Sequence, residues 1–234
     1  MTACCLWCGK EIKNELKFID LVAFRPLSEI AICKACNSQL YPLKQELVCK
    51  GCGRKQSEPL DYCLDCIKWQ QEYPDYAFNN IALFRYEGMV KEMIEAYKFK
   101  GDYRLNKLFA RPLHEQLCNP RYKKKLIVPI PISKKSFQLR EFNQVTGLLE
   151  AAGILYEEVL LNKGIAEKQS KKNRQERLAT IQPFAVSQEK KEMIKGRQLV
   201  LVDDVYTTGR TLFHAADCLI KNGVQSVETV TLTR

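Results

Sequence analysis

The stretch from Gln198 to Leu212, QLVLVDDVYTTGRTL, constrains the fold of this chain more than any other. It opens with four consecutive apolar residues, Leu199 to Val202, in a run too short for a helix and without the alternation of a half-buried strand. Such a run is typical of a central parallel strand covered on both faces. Because Asp203 and Asp204 follow directly, the sequence predicts two carboxylates at the strand's carboxyl end, where open α/β sheets bind ligands.

The residues after these acids combine hydroxyl groups with a glycine. Gly209 permits a tight turn or the close approach of a ligand, and successive backbone N–H groups in such a loop suit an anion. A helix should follow, since apolar residues recur at helical spacing from Leu212 to Ile220 and Gly223 stands just beyond. The positive end of that helix points at the loop and favours a bound phosphate.

The segment VLVDDVYTTGRTL resembles the phosphoribosyl pyrophosphate (PRPP) motif of type I phosphoribosyltransferases. The resemblance implies that Asp203 and Asp204 hold the ribose hydroxyls of PRPP and its accompanying Mg²⁺. It also implies a cradle for the 5-phosphate, formed by Tyr206, Thr207, Thr208, Gly209, Arg210 and Thr211. An ordinary strand and turn with exposed acids is the alternative, which thirteen consecutive matching residues disfavour.

Nine of the 11 cysteines lie before residue 70, and eight of them form four CxxC pairs. Two thiolates two residues apart can face one ion, and two such pairs complete the tetrahedral shell of a structural zinc. Pairing in chain order predicts two zinc sites. Their ligands are Cys5, Cys8, Cys33 and Cys36 in the first, and Cys49, Cys52, Cys63 and Cys66 in the second.

Two features of this assignment stay open. A crossed arrangement, in which the sites share alternate pairs, satisfies the same count, and Cys4 competes with Cys5 as a ligand. A disulfide scaffold or a redox role is disfavoured because the sequence shows no secretion signal. Closed Cys₄ sites keep no open coordination position, so we expect the ions to fold a region otherwise too poor in core.

The rest of the chain alternates predicted strands and helices, which favours an α/β fold with a mostly parallel sheet flanked by helices. We predict strands at 81–86, 126–130, 158–161 and 227–232, and helices at 89–98, 103–117, 144–152 and 188–194. A polar junction around Pro74 divides the chain. The predicted domains are a zinc module of the double zinc ribbon type at 1–72 and a phosphoribosyltransferase-like domain at 78–234.

The segment VPIPISKKSFQLREFNQ, at residues 128–144, resembles the signature of the ComF family of late competence proteins. The order of motifs, cysteines first and the DD–TTG element last, extends this resemblance over nearly the whole chain. It implies a loop facing pyrophosphate at Pro131, Ile132, Ser133 and Lys134, with Arg140, Phe142, Asn143 and Gln144 completing the motif. Glu141 departs from the family, which usually has glycine there.

Residues 163–177 are polar and basic, without apolar periodicity, and we predict a mobile loop there. The resemblance to type I phosphoribosyltransferases places Gln169, Arg174 and Arg177 in a loop that closes over the reaction. Thr180 stands where the family usually has asparagine.

The chain carries 37 lysines and arginines against 27 acids, a formal net charge of +10. This excess favours phosphate-rich partners, and basic residues concentrate in 121–140 and 163–177, on both sides of the ligand motif. We predict a single positive surface that binds single-stranded DNA through phosphates and ring stacking. Its residues are Lys123, Lys124, Lys125, Lys134 and Lys135, with Tyr122, Phe137 and Phe142 as stacking rings.

Three functions fit these features. The ComF resemblance implies natural transformation, in which the protein handles incoming single-stranded DNA beside a competence helicase and keeps a PRPP site. The same residues fit an active phosphoribosyltransferase with an unidentified acceptor, or a zinc-ribbon adaptor with a vestigial site. No apolar run could span a bilayer, so we expect a cytoplasmic protein that contacts the inner face of the membrane only through partners.

Overall fold

The computed structural model describes residues 3–12, 31–40, 42–43, 46–73, 79–164 and 182–234. Its strands are β1 (Ala3–Cys4), β2 (Glu11–Ile12), β3 (Asn80–Phe84), β4 (Leu126–Pro129), β5 (Leu160–Asn162), β6 (Phe184–Val186), β7 (Gln198–Val205) and β8 (Ser226–Thr233). Its helices are α1 (Lys34–Asn37), α2 (Leu64–Glu72), α3 (Gly88–Phe99), α4 (Asn106–Leu117), α5 (Lys134–Arg140), α6 (Gln144–Ala151), α7 (Lys191–Ile194) and α8 (Arg210–Lys221). Single 3₁₀ turns lie at Tyr103–Leu105, Pro120–Tyr122 and Gln188–Lys190.

A four-stranded parallel sheet in the order β3-β8-β7-β4 forms the centre of the molecule. Leu126 lies opposite Leu199 and Val202 lies opposite Val230, so the carboxyl ends of the strands meet at one edge. The pairs β1–β2 and β5–β6 form separate antiparallel ribbons. This architecture confirms the predicted α/β class with a parallel sheet flanked by helices.

The side chains of β7 divide between two faces of the sheet, as the two-residue period of a strand requires. Leu199 and Leu201 pack on the face covered by α8, whereas Val200 and Val202 pack on the face covered by α3, α4 and α6. All four are at most 1% exposed, and each such burial stabilises the fold by roughly 1.5–3 kcal/mol. The continuous apolar run therefore reflects helices on both faces.

The α8 face of the sheet also receives the second set of cysteines. Asn80 of β3 donates its backbone N–H to Gly51 O (2.7 Å) and its side-chain Nδ2–H to Cys52 O (3.2 Å). A Cβ atom at Gly53, where φ is +72°, would lie 3.2 Å from the Cβ of Ala82. Cys49, Cys52, Cys63 and Cys66 thus share one core with β4, β7 and α8. The second set of cysteines therefore packs into the core of the parallel sheet and forms no core of its own.

Predicted and observed elements differ mainly at their ends. β3 ends at Phe84 rather than at residue 86, and the predicted helix at 103–117 divides into a 3₁₀ turn and α4, which continues through Pro112. The predicted helix at 188–194 likewise begins as a 3₁₀ turn. Residues 74–78, where the domain junction was predicted, lie outside the described residues, so the domain boundaries stay a prediction.

Candidate functional site

Asp203 and Asp204 lie at the carboxyl end of β7, as predicted, but both are buried, at 9% and 4% exposure. The backbone N–H of Asp204 donates to Asp203 Oδ1 at 2.9 Å. The Nζ of Lys98, near the end of α3, lies 2.7 Å from Asp204 Oδ2. Sequence reasoning missed Lys98, because helical periodicity shows which face of α3 is buried but not which strand it meets.

Burial changes the ionisation of Asp203. Burial, and then the charge of Asp204, raise the pKa of Asp203 to about 8, while Lys98 acts in the opposite direction. At neutral pH Asp203 therefore largely keeps its proton, and the Lys98 ammonium balances the charge on Asp204. The free site is close to electrically neutral, with carboxylate oxygens held in fixed positions at the sheet edge.

The predicted phosphate loop, residues 206–211, follows the acids directly. Thr207, Thr208, Arg210 and Thr211 are exposed, whereas Tyr206 is 3% exposed beneath them. Gly209 has φ +85°, and a Cβ atom there would lie 2.2 Å from the Tyr206 hydroxyl oxygen, so only glycine fits. Gly209 is also the N-cap of α8 and has no side chain to cap the helix. The first N–H groups of α8 can thus serve an anion.

Two residues far away in the sequence support this loop from behind. Trp69 of α2 donates its Nε1–H to Thr208 O at 2.9 Å. Arg234 donates Nη1–H to Thr207 O at 2.7 Å and to Tyr206 O at 3.3 Å. Sequence reasoning missed both residues, since neither lies in a recognisable motif.

The loop after β4 reaches the same edge of the sheet. Ile130 N–H donates to Val202 O at 2.9 Å, which places Pro131 to Lys134 beside the acid pair. Ser133 Oγ accepts the N–H of Ser136 at 3.1 Å and caps α5, and Asn162 Nδ2–H donates to Pro131 O at 3.1 Å. The predicted pyrophosphate loop and the phosphate loop are therefore neighbours.

The remaining residues of this motif fasten α5 and α6 to the sheet. Asn143 caps α6 by accepting the N–H of Val145 (3.0 Å) and donates Nδ2–H to Ile130 O (3.2 Å). Arg140 Nη1–H donates to Gln144 Oε1 at 2.9 Å. The ring of Phe142 lies 5.3 Å from Tyr97 and 5.2 Å from Tyr103. These contacts position the loop after β4. Gln169, Arg174 and Arg177 lie outside the described residues.

Two groups of four cysteines, among the residues that the structure describes, could each hold a metal ion. The sulfur atoms within each group lie within 4.8 Å of one another. The first group is Cys5, Cys8, Cys33 and Cys36; the second group is Cys49, Cys52, Cys63 and Cys66. Both match pairing in chain order, and Cys4 is exposed outside the first group. Four sulfur donors in a closed shell fit zinc.

The lysines predicted to bind DNA lie on segments before and after β4. Lys123 and Lys124 precede β4 and therefore lie at the edge opposite the acids, and Lys125 is paired with Glu228. Tyr122 is 2% exposed, with Lys125 Nζ 5.5 Å from its ring centre, so it cannot stack on a base. Lys134 and Lys135, together with the exposed ring of Phe137, instead lie on α5 at the ligand edge.

No helix in the described ranges is both long and apolar enough to cross a membrane.

The two histidines have structural surroundings. His114 Nδ1 lies 2.8 Å from Ala152 O, and His214 is buried in α8 with its carbonyl bonded to Gln182 Nε2 at 2.8 Å.

Comparison with known proteins identifies the family. The family model described as "Phosphoribosyl transferase domain" matches residues 147–234. Competence protein ComFC of Streptococcus pneumoniae (strain ATCC BAA-255 / R6) is 36% identical over 98% of this chain and 99% of its own length. Competence protein ComFC of Bacillus subtilis (strain 168) is 32% identical over 98% and 94%. With this similarity spanning both cysteine groups and the ligand edge, the chain belongs to the ComFC family of competence proteins.

Proposed function

We propose that this protein takes part in natural transformation, handles single-stranded DNA in the cytoplasm, and binds PRPP with Mg²⁺ at the carboxyl end of β7. The observation that carries the ligand assignment is the meeting of three parts at one sheet edge. These parts are the acid pair, the phosphate loop and the loop after β4. The competence role is supported by the full-length similarity to ComFC proteins.

The geometry suits a phosphorylated ribose. The phosphate loop offers exposed hydroxyls at Thr207, Thr208 and Thr211 next to the N-terminus of α8, where a 5-phosphate is favoured by the helix dipole and unpaired N–H groups. The ribose hydroxyls would then reach Asp203 and Asp204, whose oxygens accept hydrogen bonds. Pro131 to Lys134 would face the pyrophosphate, with the Lys134 ammonium close to its charge.

Mg²⁺, carried on the oxygens of PRPP, would neutralise the pyrophosphate and assist its departure. The protein's own contribution is to hold the sugar and to stabilise charge. Asp203 and Asp204 fix the ribose and oppose the positive charge that develops at C1 when the pyrophosphate bond breaks. We propose zinc for both cysteine groups, because four thiolates at these separations form a closed tetrahedral shell.

An active phosphoribosyltransferase is the second candidate, favoured by the same three parts at one edge. It would add transfer of the ribose 5-phosphate to an acceptor. A vestigial site is disfavoured because Gly209 still fits closely against Tyr206 while the threonine hydroxyls stay exposed. Pyrophosphate release, measured across a panel of acceptor bases, separates the enzyme from a ligand-binding protein.

Calorimetric titration with PRPP and Mg²⁺ tests the site directly. We expect Asp203→Ala and Asp204→Ala each to weaken binding by about 1.5–3 kcal/mol through loss of a charge-assisted hydrogen bond. Thr208→Val should weaken ribose 5-phosphate but leave pyrophosphate unchanged. Glu115→Gln, which removes an exposed charge on α4, is the matched control. Unchanged affinity in the double aspartate variant would place PRPP elsewhere, and the absence of binding to the wild type would refute PRPP as a ligand.

A further inference from the structure

The phosphate loop is built against the second cysteine group, and this packing links a metal site to ligand binding. We propose that Trp69 and Arg234 are positioning residues that hold the phosphate loop in its binding shape, so that metal in the second group, but not in the first, sets the loop's affinity for phosphate. The proposal rests on the proposed function, because it concerns the same site.

Trp69 connects the second group to the loop and to the helix behind it. α2 begins immediately after Cys63 and carries Cys66 on its first turn, so two metal ligands fix the direction of the helix. Trp69 lies one turn beyond Cys66. Its ring stacks on Phe213 of α8 at 4.3 Å, while its Nε1–H bonds to Thr208 O at 2.9 Å. One side chain thus holds both the loop and the start of α8.

Arg234 makes a second, independent connection. Its guanidinium lies 4.6 Å above the Tyr206 ring, donates to the carbonyls of Thr207 and Tyr206, and places Nη2 3.9 Å from Cys52 Sγ. Carbonyl oxygens repel an anion. Because Arg234 binds the carbonyl oxygens of Tyr206 and Thr207, these oxygens are held away from a bound anion. The N–H groups of the loop then remain to bind the anion. Its own backbone is fixed by a bond from its N–H to Phe84 O at 3.0 Å.

The second group is held rigidly between the sheet and the loop. All four of its cysteines are at most 8% exposed and belong to the core that includes Tyr206, Leu212 and Phe213. The bonds from Asn80 to Gly51 and Cys52 anchor the ligand turns to β3. Loss of the ion would therefore release the start of α2 and the turn at Cys52, which are the supports of Trp69 and Arg234.

The first group provides a comparison within the same chain. Cys5 and Cys36 form a separate small cluster with Ile12, against which Trp7 and Met89 pack. Cys8 is exposed on the surface. Each group therefore has one of the chain's 2 tryptophans beside it, but within the described residues only Trp69 bonds to the phosphate loop. If metal loss lowered phosphate affinity only by destabilising the protein in general, removing the metal from either group would have the same effect.

Binding of PRPP with Mg²⁺ to the zinc-loaded full chain is the first measurement. We expect Trp69→Phe, which keeps the stacked ring but loses the N–H, to weaken binding about threefold to tenfold, and Arg234→Met to weaken it about tenfold. Arg234→Lys should recover part of that loss, because it restores a cationic donor. Cys5→Ser should change affinity less than about twofold although one zinc is lost. Circular dichroism and thermal unfolding establish that each variant is folded.

Linkage supplies a readout that simple destabilisation would not give. PRPP should slow zinc release to a chelator from the second group, while release from the first group stays the same, because coupling between two sites is reciprocal. In a Trp7→Phe background the fluorescence of Trp69 reports the second group alone. If PRPP slows zinc release equally at both groups, or at neither group, the proposal is wrong.

A third measurement separates failure of this proposal from failure of the proposed function. Hydrogen exchange at the amides of residues 206–212 needs no ligand. We expect faster exchange in Trp69→Phe, in Arg234→Met and after zinc removal from the second group, and unchanged exchange in Cys5→Ser. If the wild-type protein binds no PRPP but these amides respond in this way, the proposed ligand is wrong and the positioning stands. Unchanged exchange in folded variants refutes the positioning.

Discussion

Glu141 carries the backbone strain of α5 at a single residue. It is the C-cap of α5, with φ 65° and ψ 0°, and is the only non-glycine residue with positive φ in the described part of the chain. Glycine adopts this conformation without steric cost, whereas a side chain costs roughly 1–2 kcal/mol. The end of α5 therefore holds a non-glycine residue in a strained backbone conformation.

Replacing this residue tests that strain. We expect Glu141→Gly to raise the free energy of unfolding by about 1 kcal/mol, measured by urea denaturation. Gln138→Gly is the matched control, because it places glycine within α5 at an exposed position and should lower stability by about 1 kcal/mol. Equal effects of the two glycines would contradict the strain at Glu141.

Asp203 carries the pH dependence of the site. Its pKa in the folded protein, about 8, is raised above the ordinary value of 3.8 by burial and by Asp204. Between these values the folded protein holds a proton that the unfolded chain has lost. Stability from this group is therefore complete below about pH 4 and is lost as pH rises through 8. Ligand binding should follow the opposite trend, since ribose hydroxyls need a carboxylate acceptor.

We expect the affinity for PRPP with Mg²⁺ to rise between pH 6 and 8.5, by at most about tenfold per unit, and then to level off. Asp203→Asn should bind weakly with a flatter pH profile, yet be more stable than the wild type at pH 8.5. Calorimetry and urea denaturation at matched pH measure the two effects. A wild-type affinity that is constant over this range would show that Asp203 does not change its ionisation on binding.

At the scale of elements, α3 contributes a residue to the site that its sequence pattern does not predict. Its apolar residues pack on the sheet, and this packing brings Lys98 against the tip of β7. The Lys98 and Asp204 side chains are only 13% and 6% exposed, so neither charge is well solvated. The helix thereby supplies the cation that allows a buried acid pair to exist.

Removing that cation should destabilise the protein. We expect Lys98→Met to lower the free energy of unfolding by about 3–5 kcal/mol, measured by urea denaturation at pH 8, because Asp204 would remain buried without a partner. Lys91→Met on the same helix is the control; its pair with Glu95 is exposed at 3.9 Å and should contribute less than about 0.5 kcal/mol. If both variants lost the same small amount of unfolding free energy, the buried ion pair of Lys98 and Asp204 would be refuted.

At the scale of the whole molecule, β4 separates the basic residues of 121–140 into two regions. The region before β4 lies at the opposite edge from the ligand site, and part of its charge is balanced by Glu228, which pairs with Arg121 and Lys125. The region on α5 lies at the ligand edge beside the exposed side chains of Phe137 and Leu139. The exposed lysines and apolar side chains of α5 are thus the candidate DNA contacts at this edge.

We therefore expect single-stranded DNA to bind along α5. Lys134→Gln with Lys135→Gln should lower affinity and reduce the slope of log K against log salt by roughly 0.7 for each DNA phosphate that is no longer neutralised. Lys123→Gln with Lys124→Gln is the control of equal charge. Fluorescence anisotropy with a labelled oligonucleotide over a salt series measures both. If the control pair has the larger effect, DNA binds at the opposite edge; if neither has any, these lysines do not bind DNA.

Much of the site could be predicted from sequence because its parts are local. The apolar run of β7, its two terminal acids, the glycine turn and α8 are consecutive, so short-range periodicity and helix signals are sufficient to predict them. The four CxxC pairs also follow from spacing, but pairing in chain order and a crossed arrangement both satisfy that spacing, and the fold selects pairing in chain order. Even the parallel sheet is implied by alternating strands and helices.

The residues that support those parts are brought to them by packing in three dimensions. Trp69 meets Thr208 across 139 residues of chain, and Arg234 meets Cys52 across 182. Such contacts depend on how helices pack on two faces of a sheet, which no local pattern encodes. The same holds for the lysines around β4: they are neighbours in sequence, but a strand and its loop carry them to opposite ends of the sheet. The order of residues defines which chemical groups are present, and packing alone brings particular ones together.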